Sequence, residues 1–298
     1  LLAATWTYLH PASAKMHAET LQIAREYGGK TGAVGPLLVY GRETPVTCLP
    51  ILTAVASVMS DYVLAWGASR VFEGSERPAW MKSAFLAARL THATAGLERT
   101  PDCAVWLPES IVYNDLVELN TAEAAHWKKL WQTLADANLD YGVTNLIELP
   151  AKTVLVYTCV RPVLSEEEFS RLREFLAKGG RLVAAFPGEP EYPDGRKIEG
   201  WQSLPADRVI RAELAPAALA AALASAGAPQ RWAPADPAVT AYHYRRGGKH
   251  VILLNHTGVD KPAPVVLPGP MTDCFTGRRL AENEKLVIPP GRYALLEE

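Results

Sequence analysis

Tyr8, Glu43 and Trp66 are the residues whose types and spacing could do chemistry together. Each stands at or just behind a short apolar, strand-like run. The first run ends Thr7-Tyr8-Leu9-His10. The second, Leu37-Leu38-Val39-Tyr40, ends in Gly41-Arg42-Glu43, and the third, Tyr62-Val63-Leu64-Ala65-Trp66, ends on the tryptophan itself. In parallel α/β barrels the reacting groups sit at the carboxyl ends of the strands. A phenol, a carboxylate and an indole at neighbouring strand mouths suit sugar chemistry. The carboxylate attacks or stabilises an oxocarbenium-like centre, the phenol orients it, and the indole face stacks on a sugar ring. Blander readings stand beside this one. A glutamate after a strand is usually a solvated loop residue, a lone tryptophan is more often core, and a tyrosine can line a barrel wall with its hydroxyl satisfied. Three suitable residues at three successive strand ends favour a site.

The elements that must position them form a βαβαβα series. Ala3–Leu9 is rich in aromatic and β-branched residues and predicts a strand. Ser13 can cap a helix over Ala14–Tyr27, which Gly28-Gly29 ends. The strand Leu37–Tyr40, the helix Cys48–Met59, the strand Tyr62–Trp66 and the helix Ala79–Gly96 follow. Such an order implies parallel strands with right-handed crossovers.

A second region starts near Asp102. It reads as strands at Cys103–Leu107, Tyr141–Glu148, Thr153–Thr158 and Arg181–Phe186, with helices at Thr121–Asn138 and Glu166–Ala177. Ser165 with Glu168 forms a capping-box pattern at the start of the latter helix, and Gly179-Gly180 stops it. This is a separate three-layer α/β domain, with a loop over Pro187–Pro205. Ala212–Ala228 is alanine-rich, contains Pro216 and reads as a helix. A third region begins near Ala238. Tyr242–Asn255 reads as a hairpin turning over Gly247-Gly248, and short strands surround Val265, Cys274, Leu286 and Tyr293, giving a small antiparallel β domain.

The whole chain has 298 residues, 49% hydrophobic and 21% charged, with a net charge of −2. That balance is ordinary for a globular chain of two or three domains and gives no reason to expect nucleic acid or an anionic membrane as partner. No apolar stretch approaches the roughly 18–20 residues of a membrane span. Cys48, Cys103, Cys159 and Cys274 are far apart and form no CxxC pair, so they read as buried or free thiols. The seven histidines show no metal-ligand spacing. No metal or cofactor is implied. The chain opens Leu1-Leu2-Ala3 without methionine and runs straight into a strand pattern, which predicts further residues upstream; localisation is left open.

Several patterns look functional and are better read otherwise. Gly28-Gly29-Lys30-Thr31-Gly32 looks like a phosphate loop, but the glycine that the full pattern needs is replaced by Ala24, and the segment follows a helix where a phosphate loop follows a strand. Cys159 follows a strand, as an amidotransferase nucleophile would, but Thr158-Cys159-Val160 lacks the flanking glycines of a strained elbow. Asn255-His256-Thr257 fits a glycosylation sequon but sits in a strand-to-turn step. Arg171, Arg173 and Lys178 read as a solvated helix face, and Trp127 with Trp131 as a core or subunit-contact pair.

The stretch 36–66, with Glu43 after a strand and DYVLAW after the next helix, resembles the last strands of a retaining clan-A glycoside hydrolase barrel. Residues 102–186, with AVWLPES and then TVLVYTCVRPVLSEEEFSRLREFLAKGGRLVAAF, resemble the trimerisation domain of family 42 glycoside hydrolases of the β-galactosidase type. HVILLNHTG, DCFTGRRL and LVIPPGRYALLEE resemble that family's small C-terminal β domain. The resemblance implies an α/β fold in three parts. Residues 1–98 would be the last three βα units of a (β/α)8 barrel. Residues 99–234 would be a flavodoxin-like, class I amidotransferase-like domain for trimerisation, and residues 235–298 the β domain.

The family also implies a retaining mechanism with two carboxylates. Glu43 matches the nucleophile at the end of barrel strand seven, with Tyr8 orienting it and Trp66 flooring the glycone subsite. Arg42 and His10 are further substrate contacts, and Arg42 would favour an ionised Glu43. The acid/base belongs at the end of strand four in an Asn-Glu pair, yet the one such pair here is Asn283-Glu284, in the β domain. With Trp66 counted as ending strand eight, this chain starts at strand six, and three βα units cannot close an eight-stranded barrel. The expected protein is therefore the C-terminal portion of a homo-oligomeric enzyme acting on β-galactosides or related β-glycosides, with neither nucleic acid nor membrane as partner. Two alternatives remain open. One is a non-catalytic carbohydrate-binding or assembly subunit with a degenerate barrel. The other is an amidotransferase-like enzyme using Cys159.

Overall fold

The computed structural model describes residues 2–6, 30–36, 62–66, 89–110, 121–144, 146, 153–229, 231–236, 238–256, 261–290 and 292–298, apart from 91 and 95. It is a mixed α/β protein that divides into two compact units. One is Leu1–Pro101 together with Trp232–Glu298, and the other is Asp102–Arg231.

In the first unit the backbone strands β1 (Leu2–Trp6), β2 (Lys30–Pro36) and β3 (Tyr62–Trp66) lie side by side in chain order and run parallel, as successive βα units require. In the middle position the paired strand stands at residues that carry no strand signal in the sequence. Leu37–Tyr40 lies outside the described residues, and the strand that pairs on both sides is Lys30–Pro36. Its three glycine and proline positions give it low β propensity, so it reads in the sequence as the tail of a helix stop. Ladder hydrogen bonds from two neighbours outweigh that preference. Lys30-Thr31-Gly32 is thus extended strand and not a phosphate cradle.

The β part of this unit is a six-stranded antiparallel sheet. β4 (Glu98–Arg99) edges β10 (Val239–Arg246), which pairs with β11 (Lys249–His256). Then come β16 (Tyr293–Glu297), β13 (Met271–Asp273) and β14 (Arg279–Leu280). The β10–β11 hairpin forms as expected: Arg246 pairs with Lys249, and Gly247 (φ 55°) and Gly248 (φ 84°) supply the two positive φ values of a tight hairpin turn. Period-2 alternation sorts its residues onto two faces. Val239, Ala241, Ile252, Leu254 and Leu296 face a ribbon of β12 (Ala263–Val266) and β15 (Lys285–Ile288). Tyr242, Tyr244, Val251, Leu253 and Leu295 cluster with Leu90, Ala93 and Leu97. Each fully buried Val, Leu or Ile there contributes about 1.5–3 kcal/mol of burial free energy.

The second unit is a five-stranded parallel sheet in the order β6-β5-β7-β8-β9. Its strands are β5 (Cys103–Trp106), β6 (Tyr141–Thr144), β7 (Val154–Tyr157), β8 (Arg181–Ala184) and β9 (Val209–Arg211). This is the flavodoxin order of doubly wound sheets, with helices α1 (Thr121–Asp136) and α2 (Glu166–Ala177) in the connections and α3 (Pro216–Ser225) after the last strand. The strands read as apolar runs because both faces are buried: β5 and β7 have no exposed residue. Trp106, Leu155, Tyr157, Leu182 and Ala184 pack on Phe169, Leu172, Phe175 and Leu176 of α2.

The helix ends obey local rules. Ser165 and Glu168 complete the capping box in both directions. At the other end Gly180 N bonds Phe175 O and Gly179 N bonds Leu176 O, a Schellman closure with Gly179 at φ 104°. Helix α3 starts at Pro216 and does not reach back to Ala212. Proline lacks an N–H that the first turn leaves unpaired anyway, so it opens the helix instead of interrupting it. Arg173 and Lys178 are exposed, and Arg171 pairs with Glu167 and Lys178 with Glu174, a solvated face as expected. Trp127 and Trp131 lie on α1, with their side chains outside the described residues.

Candidate active site

The three parallel strands bring their carboxyl ends to one edge. Trp6 pairs with Val34, Val34 with Leu64, and Pro36 with Trp66, so β2 and β3 end on the same row. At roughly 4.8 Å between neighbours, the lines of β1 and β3 are about 10 Å apart, the width of one sugar ring and its contacts. Trp66 is the last residue of β3, at this edge. The other expected site residues, Tyr8, His10, Arg42 and Glu43, follow the ends of β1 and β2 in sequence and lie outside the described residues. The geometry therefore places Trp66 and the three strand mouths.

The second unit contains the other arrangement with chemical potential. His126 Nε2 lies 2.7 Å from Thr158 Oγ1, and that hydroxyl donates to Ala185 O at 2.7 Å. A hydroxyl has one proton to give, so the imidazole must donate through Nε2–H. Burial, with a contribution from Lys129, holds the His126 pKa below its ordinary value. The neighbouring Cys159 is fully buried in the apolar cluster around Trp106, Tyr157 and Phe186, and its φ is not positive. A strained nucleophile elbow exposes its side chain at the tip of a turn. Cys159 does neither, which removes the amidotransferase reading.

Two further sequence patterns resolve as structure. Asn283 has φ 62° in a turn, and Glu284 pairs with Arg278 and accepts from Ala281 N at 2.9 Å. Asn255 is buried inside β11, which closes its sequon to any glycan. Among the described residues no group of three His, Cys, Asp or Glu could hold a metal ion, and no helix is long and apolar enough to cross a membrane. One contact was not legible in the sequence. Glu168 does more than cap α2, because Ser110, in the connection that follows β5, donates to its carboxylate through both N and Oγ. The motif Ser165-x-x-Glu168 signals the cap, but no local pattern signals a partner so distant in sequence.

No protein-family model and no curated protein matches the sequence. Solved structures do match. The chain aligns over 100% of its length with Gan42B, a GH42 β-galactosidase of G. stearothermophilus, at TM-score 0.71 and 11% identity, covering 59% of that chain. The fold is that of a GH42 glycosidase over part of its length. A β-galactosidase of Bacillus circulans sp. alkalophilus matches at TM-score 0.70 and 12% identity, over 100% of this chain and 60% of the other. An exo-carrageenase GH42 of Bacteroides ovatus matches at TM-score 0.62 and 14% identity, over 96% of this chain and 44% of the other. The chain thus spans about 59% of the length of the first of these glycosidases, and the GH42 folds it matches carry more than one glycosidase activity.

Proposed function

We propose that this chain is the C-terminal portion of a retaining glycoside hydrolase acting on β-galactosides or related β-glycosides. One observation carries the reading: the whole chain superposes on GH42 glycosidases, and its three parallel strands bring their carboxyl ends to one edge, the edge at which a barrel glycosidase does its chemistry. In this reading residues 1–98 are the last βα units of a (β/α)8 barrel, residues 99–234 a flavodoxin-like module for trimerisation, and residues 235–298 a β domain. Glu43 is the nucleophile, about 5–5.5 Å from an acid/base carboxyl supplied from outside this chain's Asn-Glu repertoire. Tyr8 orients Glu43, Trp66 stacks on the glycone, and Arg42 and His10 contact the substrate. The full-length protein is incubated with an activated 2-fluoro-β-galactoside and the labelled peptide is sought by mass spectrometry. A label on Glu43 is the expected result. No label, together with Glu43→Gln as active as wild type on aryl glycosides, overturns it.

A second reading, a non-catalytic carbohydrate-binding or assembly subunit, is favoured by one observation. The one Asn-Glu pair of the chain is committed to a turn by Arg278 and Ala281. Binding of galactosides without hydrolysis by the full-length protein would select it.

A further inference from the structure

In a doubly wound sheet the ligand crevice opens where the strand order reverses. With right-handed crossovers, the step from β5 to β6 and the step from β7 to β8 place α1 and α2 on opposite faces, so the reversal lies between β5 and β7. The crevice must lie between the connection that follows β5 and the start of α2. A carboxylate already stands there. Ser110 N donates to Glu168 Oε1 at 3.1 Å, Ser110 Oγ donates to Oε2, and Ser165 N donates to Oε2 at 2.6 Å. Ser165 N also lies 3.1 Å from Ser110 Oγ. Glu168 is 6% exposed, and Trp106 and Tyr157, the last residues of β5 and β7, pack with ring centroids 4.8 Å apart. Two backbone N–H groups and a hydroxyl, drawn from both walls, converge on one anion. That is the donor set by which such crevices hold the anionic group of a ligand.

We propose that Glu168 is the built-in occupant of this crevice, its carboxylate taking the seat of a ligand's anionic group, so that the switch point of the sheet is a latch closed from within. The chemistry that fits the same donors from outside is a small monocarboxylate. The latch joins two strands' connections that share no sequence neighbourhood, and it leaves the second unit as scaffold instead of a ligand-binding module.

The test is chemical rescue in the full chain. Glu168→Ala keeps the helix and empties the seat. Its midpoint of thermal unfolding is expected to fall by roughly 5–10 °C. Sodium formate should then restore part of the loss in a saturable way, where sodium chloride at equal ionic strength does not, and wild type should gain nothing from formate. Folded Glu168→Ala without formate-specific recovery, or wild type gaining equally, overturns the proposal. Glu168→Gln decides independently should the alanine variant not fold. It keeps the shape but offers an amide to Ser110 Oγ and Ser165 N, and a midpoint equal to wild type overturns the latch.

Discussion

Gly180 runs directly beneath the ring of Phe175: a Cβ at that position would stand 2.2 Å from the ring's Cζ. The backbone there is not in the left-handed region, so the constraint is space alone. Gly180→Ala is expected to cost about 1–3 kcal/mol by overpacking. Urea unfolding of the two proteins checks it, and pairing Gly180→Ala with Phe175→Leu should recover part of the loss.

The acid limb of stability should carry a signature of His126. Its pKa is held below the ordinary 6.5 by burial first and by Lys129 second. The folded state then binds fewer protons than the unfolded state just below that value. The stabilising contribution is present above 6.5 and is lost as pH falls through the lower folded value. Thermal midpoints between pH 7.5 and 5 should fall less in His126→Gln, whose amide can still donate to Thr158.

Tyr293 should mark the alkaline limb. Desolvation raises its phenol from 10 to about 12, against the opposing charges of Arg89 and Arg292. A raised acid contributes stability that is complete below 10 and disappears as pH rises through about 12. Ultraviolet titration of wild type minus Tyr293→Phe should show one phenol ionising near 12.

Arg231 lies 3.9 Å from Asp102, which is 7% exposed and also accepts Asp140 N at 3.0 Å. Removing the cation leaves a buried carboxylate with less compensation, so Arg231→Met is expected to destabilise the second unit by about 2–4 kcal/mol. Differential scanning calorimetry of the full chain checks it.

The proposed glycone contact makes a kinetic prediction. Trp66→Ala should lower kcat/KM on aryl β-galactosides by about tenfold or more, the loss of one stacking surface. An unchanged value would remove Trp66 from the site.

Legibility in the sequence followed the range of the interactions. Helix α2 was legible to the residue, because Ser165, Glu168 and Gly179-Gly180 act within one turn. The β10–β11 hairpin was legible for the same reason, through Gly247-Gly248. Strand β2 was not, since its pairing with β1 and β3 overrides the weak preference of Lys30–Pro36. Strands β4 and β9 have two and three residues and exist only by virtue of their partners. Of the candidate site, Trp66 could be placed at its strand end from pattern alone. The Ser110–Glu168 bridge could not, because nothing local announces a contact across two connections.

Strand β4 pairs Arg99 with Tyr244 and Glu98 with Arg245, so a ribbon made before the second unit is stitched to one made after it. During synthesis the second unit, Asp102–Arg231, is contiguous and can fold as soon as it is complete, while the sheet of the first must wait. Closing a flexible loop of that length would cost roughly 4 kcal/mol of chain entropy. The folded second unit removes most of it, because Asp102 and Arg231, its first and last residues, already stand together. The inserted unit thereby acts as an intramolecular assembly jig: it delivers the two halves of its neighbour's sheet to one place, and substitutions that slow its folding should delay the other unit too.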